Sequence, residues 1–192
     1  MARLILIRHG ESVANAERRF THGPHEPLSR KGRDEALARA RLIAATADPV
    51  ALYASPFVRA LETARLIGSV LGLDPTIVEA LQEQDFGTLR GEPYDAVRAD
   101  PTWHTDRWRY RPPGGETLEE VYRRVGPALD AIAERHLGQQ VVVVSHGGVM
   151  AALHAWTSMR SFEGVPAVSA NAAGWVVERR ASVWHGPFPL DE

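Results

Sequence analysis

Short apolar segments alternate with amphipathic segments along this chain, and the alternation restricts the fold more than any other feature. The clearest apolar segment is Gln140–Ser145, whose four consecutive valines are typical of a strand buried on both faces. Similar short segments lie at residues 3–8, 50–54 and 76–78. Strands that alternate with helices predict an α/β fold with a mostly parallel central sheet covered on both faces.

Helix start sequences lie between these strands. Ser29 and the pair Ser55-Pro56 are typical of helix N-termini, and Thr117 with Glu120 forms a capping-box pattern. The predicted helices are residues 31–45, a segment from Ser55-Pro56 to near Gly72, a segment that begins at Thr117, and residues 147–157. In the second helix, the residues predicted to face the core are Val58, Leu61, Ala64, Ile67 and Leu71. The remaining predicted elements are one short helix near residues 94–99, within a loop-rich stretch, and two strands between residues 174 and 184.

Composition excludes several classes of protein. The chain has 192 residues, which suits a single domain spanning residues 1–192, and its net charge of −2 provides no broad basic field for a nucleic-acid partner. It contains no cysteine, which excludes disulfides, thiolate zinc sites and cysteine nucleophiles and agrees with a cytoplasmic location. The apolar run at residues 4–7 is too short for a signal peptide, and no segment approaches membrane-spanning length, so no membrane partner is expected.

Charged residues and histidines follow the predicted strands. In parallel sheets, ligands bind beyond the carboxyl ends of the strands, where Arg8-His9 and His146 are expected. Arginine matches two phosphate oxygens, a neutral imidazole can attack phosphorus, and a carboxylic acid can protonate the departing alkoxide. Periodicity alone does not decide which of Glu79, Glu83 and Asp85 supplies that acid.

Five motifs occur in the order found in the histidine phosphatase superfamily, the phosphoglycerate-mutase-like branch 1, and the chain resembles that family. The motifs are RHGES at residues 8–12, SPFVRA at 55–60, LQEQDFG at 81–87, GGET at 114–117 and SHGG at 145–148. Each motif alone is weak evidence for the family, but five motifs in the expected order are specific to it. The resemblance implies a three-layer α/β/α sandwich and a phosphohistidine intermediate.

The resemblance also implies a role for each matching residue. His9 is the nucleophile, and Glu83 donates a proton to the leaving group and later activates water. The residues expected to bind the phosphoryl group are Arg8, Arg59 and His146, together with Ser12, Asn15, Thr21 and Gly147. No metal and no cofactor are expected. The partner is a small phosphorylated molecule, and a homodimer is the oligomeric hypothesis.

Three activities stay open at this point. Hydrolysis of a small phosphate monoester is favoured, because the chain is short and its loops have few residues that could form a lid. A mutase needs such a lid to keep water out of its active site. The alternatives are a phosphoglycerate-mutase-type phosphotransferase and a non-catalytic module that binds a phosphorylated ligand. A loop over the site is expected at residues 20–28, with His22 and His25.

The aromatic and basic loop residues suggest contacts beyond the phosphate. Trp103 and Trp108 are the tryptophans expected to meet the ligand. Arg107, Arg109 and Arg111 either hold a second anionic group of the substrate or form a solvated basic loop.

Overall fold

A six-stranded sheet forms the centre of the structure, a computed structural model that describes residues 1–98, 100–158 and 170–190. The strands are β1 (Ala2–Arg8), β2 (Ala51–Ala54), β3 (Pro75–Ile77), β4 (Gln140–Ser145), β5 (Gly174–Arg180) and β6 (Val183–Pro189). Their order across the sheet is β3-β2-β4-β1-β5-β6. The pairs β1–β4, β2–β4 and β2–β3 are parallel. Strand β5 pairs antiparallel with β1, and β6 pairs antiparallel with β5. The prediction of a mostly parallel sheet is therefore confirmed.

Six α-helices connect the strands within the described ranges. They are α1 (Val13–Ala16), α2 (Arg30–Thr46), α3 (Val58–Leu71), α4 (Pro101–Thr105), α5 (Leu118–Arg135) and α6 (Gly147–Ser158). The short helix predicted near residues 94–99 is a 3-10 turn over Tyr94–Val97, and residue 99 lies outside the described residues. Of the helices that the structure describes, none combines the length and apolarity needed to cross a bilayer.

The sheet separates two hydrophobic cores, which confirms the three-layer arrangement. Ile5 and Ile7 of β1 pack with residues of α2 and α3 on one face. Leu4 and Leu6 pack with residues of α5 and α6 on the other face. Successive residues of a strand point to opposite faces, so a strand buried on both faces is apolar throughout.

Two of the three predicted helix starts are confirmed. The Ser29 side chain accepts a hydrogen bond from the Gly32 N–H at 3.1 Å, and Thr117 with Glu120 forms the reciprocal capping box of α5. The third prediction is wrong. Helix α3 begins after Phe57, without a side-chain cap, and the Ser55 hydroxyl instead contacts His146.

The buried face of α3 also differs from the prediction. Ala64 and Ile67 are buried as expected, but Val58, Leu61 and Leu71 are partly exposed. The helix is rotated so that Arg59 and Thr63 are buried instead, and the Thr63 hydroxyl accepts a hydrogen bond from the Gly10 N–H at 3.1 Å. This rotation points Arg59 and Thr63 towards the carboxyl end of β1. The cost of burying these two polar side chains is compensated by the hydrogen bonds that they make there.

Candidate active site

A cavity of about 650 Å³ opens at the carboxyl ends of β1 and β4. The residues predicted for the site that line it are Arg8, His9, Ser12, Asn15, Thr21, Arg59, Glu83 and Gly147. These side chains come from segments far apart in the sequence. The fold therefore brings together the groups that the family resemblance selects, except His146, which does not line the cavity.

His9 is buried and held in one orientation. Its Nδ1 lies 2.6 Å from the Gly10 carbonyl oxygen, and because a carbonyl only accepts hydrogen bonds, Nδ1 carries the proton. The other ring nitrogen, Nε2, then has a free lone pair, which accepts a hydrogen bond from Arg59 Nε at 3.2 Å. Burial and the nearby guanidinium groups of Arg59 and Arg8 lower the pKa of His9 well below its ordinary value. His9 is thus neutral at pH 7, the state required of a nucleophile.

Arg59 is buried beside His9 and is held by the loop at residues 20–28. Its Nη1 donates to the Thr21 hydroxyl and to the Gly23 carbonyl oxygen, both at 3.3 Å. Burial lowers the pKa of Arg59 to about 10, so the guanidinium remains charged at neutral pH. Thr21 therefore positions Arg59 in addition to lining the cavity. Of the same loop, His22 and His25 are exposed.

His146 lies behind His9. The two ring centroids are 5.1 Å apart, and the His146 side chain is completely buried. Its Nε2 lies 2.7 Å from the Ser55 hydroxyl, while its Nδ1 is buried without a hydrogen-bond partner in the part of the chain that the structure describes. Burial, Arg59 and His9 lower the pKa of His146 well below its ordinary value, so this ring is neutral as well.

Arg8 ends β1 directly opposite Ser145 of β4. Burial lowers the pKa of its guanidinium, and the Glu83 carboxylate opposes that effect. Arg8 and Arg59 therefore both face the cavity, beside the Glu83 side chain and the neutral His9 ring. Cations gathered in this way are suited to a phosphoryl group, whose charge is spread over several oxygens.

Of the three acidic candidates Glu79, Glu83 and Asp85, Glu83 is the one that lines the cavity. Its Oε1 accepts hydrogen bonds from the Gln84 N–H at 2.9 Å and the Gly148 N–H at 3.1 Å. Asp85 instead pairs with Arg90 at 2.7 Å and lines a neighbouring cavity, and Glu79 is exposed. Its position in the cavity thus favours Glu83 over Glu79 and Asp85 as the candidate acid.

Gly148 permits the close approach of α6 to this carboxylate. A Cβ atom at position 148 would lie 2.7 Å from Glu83 Oε1, closer than carbon and oxygen pack. The glycine pair at the start of α6 lets a backbone N–H reach Glu83, and Gly147 lines the cavity beside it. The absence of a side chain at Gly148 is therefore explained by the close approach to Glu83.

Ser12 and Asn15 line the cavity and also hold each other. The Ser12 side chain caps α1 by accepting from the Asn15 N–H at 3.2 Å, and Asn15 Oδ1 accepts from the Ser12 N–H at 3.1 Å. Asn15 Nδ2 donates to the Tyr94 hydroxyl at 2.9 Å. A phosphate contact of either side chain remains a prediction.

The sequence reasoning missed most of the aromatic part of the cavity wall. Phe20, Phe86 and Tyr94 line it, and Trp103 does so as expected. Trp108 does not meet the prediction, because it is buried in the core under α5. These aromatic residues lie in loops, in the 3-10 turn at Tyr94–Val97 and in the five-residue helix α4, which are too short for a periodicity to indicate which side chains turn inward.

Comparison with known proteins agrees with this geometry. A family model described as the histidine phosphatase superfamily (branch 1) matches residues 4–184. The chain is 32% identical to a probable phosphoglycerate mutase GpmB of Salmonella paratyphi C, over 100% of this chain and 99% of the relative. It is 29% identical to a metal-independent phosphoserine phosphatase of Arabidopsis thaliana, over 95% of this chain and 82% of the relative.

A solved structure is similar over the same extent. A mycobacterial glucosyl-3-phosphoglycerate phosphatase, determined as a complex with VO3, superposes with a TM-score of 0.85 at 27% identity. The similarity covers 95% of this chain and 96% of that one.

Proposed function

The chain belongs to the histidine phosphatase superfamily, branch 1, and is a phosphatase; from this premise we propose that it hydrolyses a small phosphate monoester without a metal ion, through a phosphohistidine on His9. The observation that carries the proposal is the state of the His9 ring. Its Nδ1 is bonded to a carbonyl, so the lone pair of Nε2 faces the Arg59 guanidinium. An unprotonated nitrogen beside a phosphate-binding cation is the arrangement that nucleophilic attack on phosphorus requires.

In the first step, His9 Nε2 attacks phosphorus and the bond to the ester oxygen breaks. Arg59 exchanges its hydrogen bond to Nε2 for bonds to the phosphoryl oxygens, together with Arg8. Glu83 donates a proton to the departing oxygen from Oε2, because Oε1 is already occupied by two N–H donors. The products are a neutral alcohol, a phosphohistidine and a Glu83 carboxylate.

In the second step, that carboxylate takes a proton from water, and the water oxygen attacks phosphorus. The bond between phosphorus and Nε2 breaks, which regenerates neutral His9, protonated Glu83 and inorganic phosphate. The carbonyl of Gly10 holds the proton on Nδ1 throughout, so Nε2 remains the reactive atom. His146 Nδ1 is the further donor available to the phosphoryl oxygens when Ser55 donates to Nε2.

The cationic side chains supply the charge stabilisation that a metal provides in other phosphatases. Arg8 and Arg59 carry two permanent positive charges into a partly desolvated cavity, where they interact with phosphate more strongly than in bulk water. Metal independence is therefore part of the proposal.

The test is turnover of 4-nitrophenyl phosphate in excess EDTA, by the wild type and by His9→Ala. We expect chelator-resistant turnover that falls at least ~10⁴-fold in the variant, because the nucleophile is removed. Acid-labile, base-stable label on the protein after a quench with ³²P-substrate would identify the phosphohistidine. Turnover that needs a divalent metal, or that survives in His9→Ala, would exclude the proposed route.

A phosphotransferase is the second candidate, since a relative of matching length is named as a probable phosphoglycerate mutase. The two activities differ in what captures the phosphohistidine. Water gives inorganic phosphate, whereas a second alcohol gives a new ester. We expect phosphate as the main product even with phosphoglycerates present, and their interconversion without phosphate release would favour the mutase. Binding of phosphate esters without turnover would favour the non-catalytic module.

Three further features are proposed from the sequence alone. The single domain over residues 1–192, the homodimer and the cytoplasmic location remain predictions from the sequence. Sedimentation of the purified chain tests the second of them directly.

A further inference from the structure

One part of the cavity wall, called the aromatic end below, consists of Phe20, Phe86, Tyr94 and Trp103. The Phe20 ring lies 4.8 Å from Phe86, 5.2 Å from Tyr94 and 6.1 Å from Trp103, measured between centroids. Together with Val97 and Tyr110 these rings form a small core of their own. A cavity of about 650 Å³ has room for much more than a phosphoryl group, so this wall faces the leaving group of the substrate.

Arg107 lies at this aromatic end. Its guanidinium carbon is 3.5 Å from the centroid of the Trp103 ring, so the two planes stack. The side chain lines the cavity, and its Nε is buried without a hydrogen-bond partner among the described residues. Burial lowers the pKa of Arg107 to about 10, which leaves it charged at neutral pH.

The other two arginines of this loop have the opposite surroundings. Arg109 is exposed and pairs with Asp106 at 3.2 Å and Glu119 at 3.3 Å. Arg111 is exposed and pairs with Glu120 at 2.6 Å. Of the three, Arg107 is the more buried and makes no ion pair within residues 1–98, 100–158 and 170–190. The hypothesis that this loop binds a second anionic group therefore applies to Arg107 and not to Arg109 or Arg111.

A partly buried cation without a carboxylate partner is costly unless a solvent molecule or a ligand supplies its hydrogen-bond acceptors. Stacking on Trp103 fixes the plane of the guanidinium, which leaves its edge available to an anion in the cavity. Little side-chain entropy is then lost when the anion binds.

We propose that the aromatic end of the cavity is a subsite for a leaving group that combines an apolar or aromatic body with a second anionic group, which Arg107 binds. The body packs against Phe20, Phe86 and Trp103. The anionic group is a carboxylate or a second phosphate, which share the planar or branched oxygen pair that arginine recognises. This inference rests on the proposed function, because it describes the alcohol that the phosphatase releases.

The test compares kcat/KM for matched aryl phosphates. The meta and para isomers of carboxyphenyl phosphate are assayed beside their neutral carboxamides, and phenylene bisphosphates provide the arm with a second phosphate. Arg107→Gln removes the charge, and Arg107→Met removes it while keeping apolar contact with Trp103. Arg109→Gln is the matched control, with the same loss of charge in the same loop.

We expect Arg107→Gln to lower kcat/KM roughly 10- to 100-fold for the anionic substrates, the range of a charged hydrogen bond, and to leave the carboxamides within about 2-fold. Arg109→Gln leaves every substrate within about 2-fold. A loss confined to carboxylates or to bisphosphates identifies which anion the subsite takes. Equal losses on neutral and anionic substrates, or no loss on either, would overturn the proposal.

Calorimetric binding separates this inference from the proposed function. In a His9→Ala background, carboxyphenyl phosphate should bind at least about 10-fold more tightly than its carboxamide, and Arg107→Gln should abolish that preference. If the binding preference is found while the wild type turns over nothing, the proposed function fails and the subsite stands. If the wild type hydrolyses all substrates without preference, the subsite fails and the proposed function stands.

Discussion

The two ends of the cavity are built in different ways. At the phosphate end, Arg8 ends the central strand β1 and His9 follows it, and the rings of His9 and His146 are oriented by contacts with the Gly10 carbonyl and the Ser55 hydroxyl. At the aromatic end, the side chains come from loops, from the 3-10 turn at Tyr94–Val97 and from the short helix α4, and they pack against one another. One end is thus part of the main scaffold, whereas the other is a small separate core.

The difference assigns chemistry and selectivity to different parts of the chain. Groups that must sit within a fraction of an ångström of a reacting phosphorus are anchored to the sheet, where packing limits their motion. In the proposed function, the groups that recognise the leaving alcohol lie on loops and short helical turns, which change without disturbing the sheet. Substitutions at the two ends should therefore have distinguishable effects on kcat, KM and stability.

Glu83→Gln should give the largest effect on turnover. We expect a loss of about 10³-fold in kcat, because general acid–base catalysis contributes ~10²- to 10⁴-fold. With 4-nitrophenyl phosphate, whose leaving group needs little protonation, the first step should survive and the phosphohistidine should accumulate. A stopped-flow burst of nitrophenolate followed by a slow phase is the measurement. Equal loss in both phases would mean that Glu83 does not act as the base in hydrolysis.

Trp108→Ala and Trp103→Ala should lower the free energy of unfolding by different amounts. Trp108 lies in the core under α5, whereas Trp103 packs against the small core of the aromatic end. Trp108 is buried under α5, and its truncation should cost about 3 kcal/mol in the free energy of unfolding. Trp103 is partly exposed, so its truncation should cost about 1 kcal/mol. The KM for aryl phosphates should instead rise several-fold for Trp103→Ala alone. Urea unfolding and initial rates measure both, and equal stability losses would contradict the separation of the cores.

The phosphate end could largely be predicted from the sequence. Short apolar strands place the residues that follow them at one edge of the sheet, so the positions of His9 and His146 follow from local patterns. The capping residues Ser29 and Thr117 were equally predictable, because a capping hydrogen bond spans only three residues. Ser55 was not, because its hydroxyl contacts His146 across the fold and such a contact has no local pattern.

The aromatic end could not be predicted for the same reason. Phe20 contacts Phe86, Tyr94 and Trp103 across long stretches of chain. Within residues 106–111 no helical or strand period indicates which arginine turns inward, so Arg107 was indistinguishable from its neighbours. The rotation of α3 was missed because buried polar side chains replaced apolar ones on its inner face.

The neutral histidines at the phosphate end should make stability depend on pH. The folded protein keeps His9 unprotonated well below pH 6.5, whereas the unfolded chain takes up a proton there. Since the unfolded state then binds more protons, stability is lost as the pH falls below about 6.5. In His9→Gln the slope between pH 5 and 6 should decrease by up to one proton, or about 1.4 kcal/mol per pH unit. Urea titrations at several pH values measure it, and an unchanged slope would contradict a neutral, buried His9.

Thr21→Val should give the smallest effect on kcat/KM, and the effect should not depend on the leaving group. It removes the hydroxyl that accepts a hydrogen bond from Arg59 Nη1, while the Gly23 carbonyl still accepts another. We expect kcat/KM to fall about 3- to 10-fold, the size of one hydrogen bond, by the same factor for anionic and neutral aryl phosphates. Thr21→Ser, which keeps the hydroxyl, should restore activity. A loss that varied with the leaving group would contradict this role and place Thr21 with the aromatic end, beside Phe20.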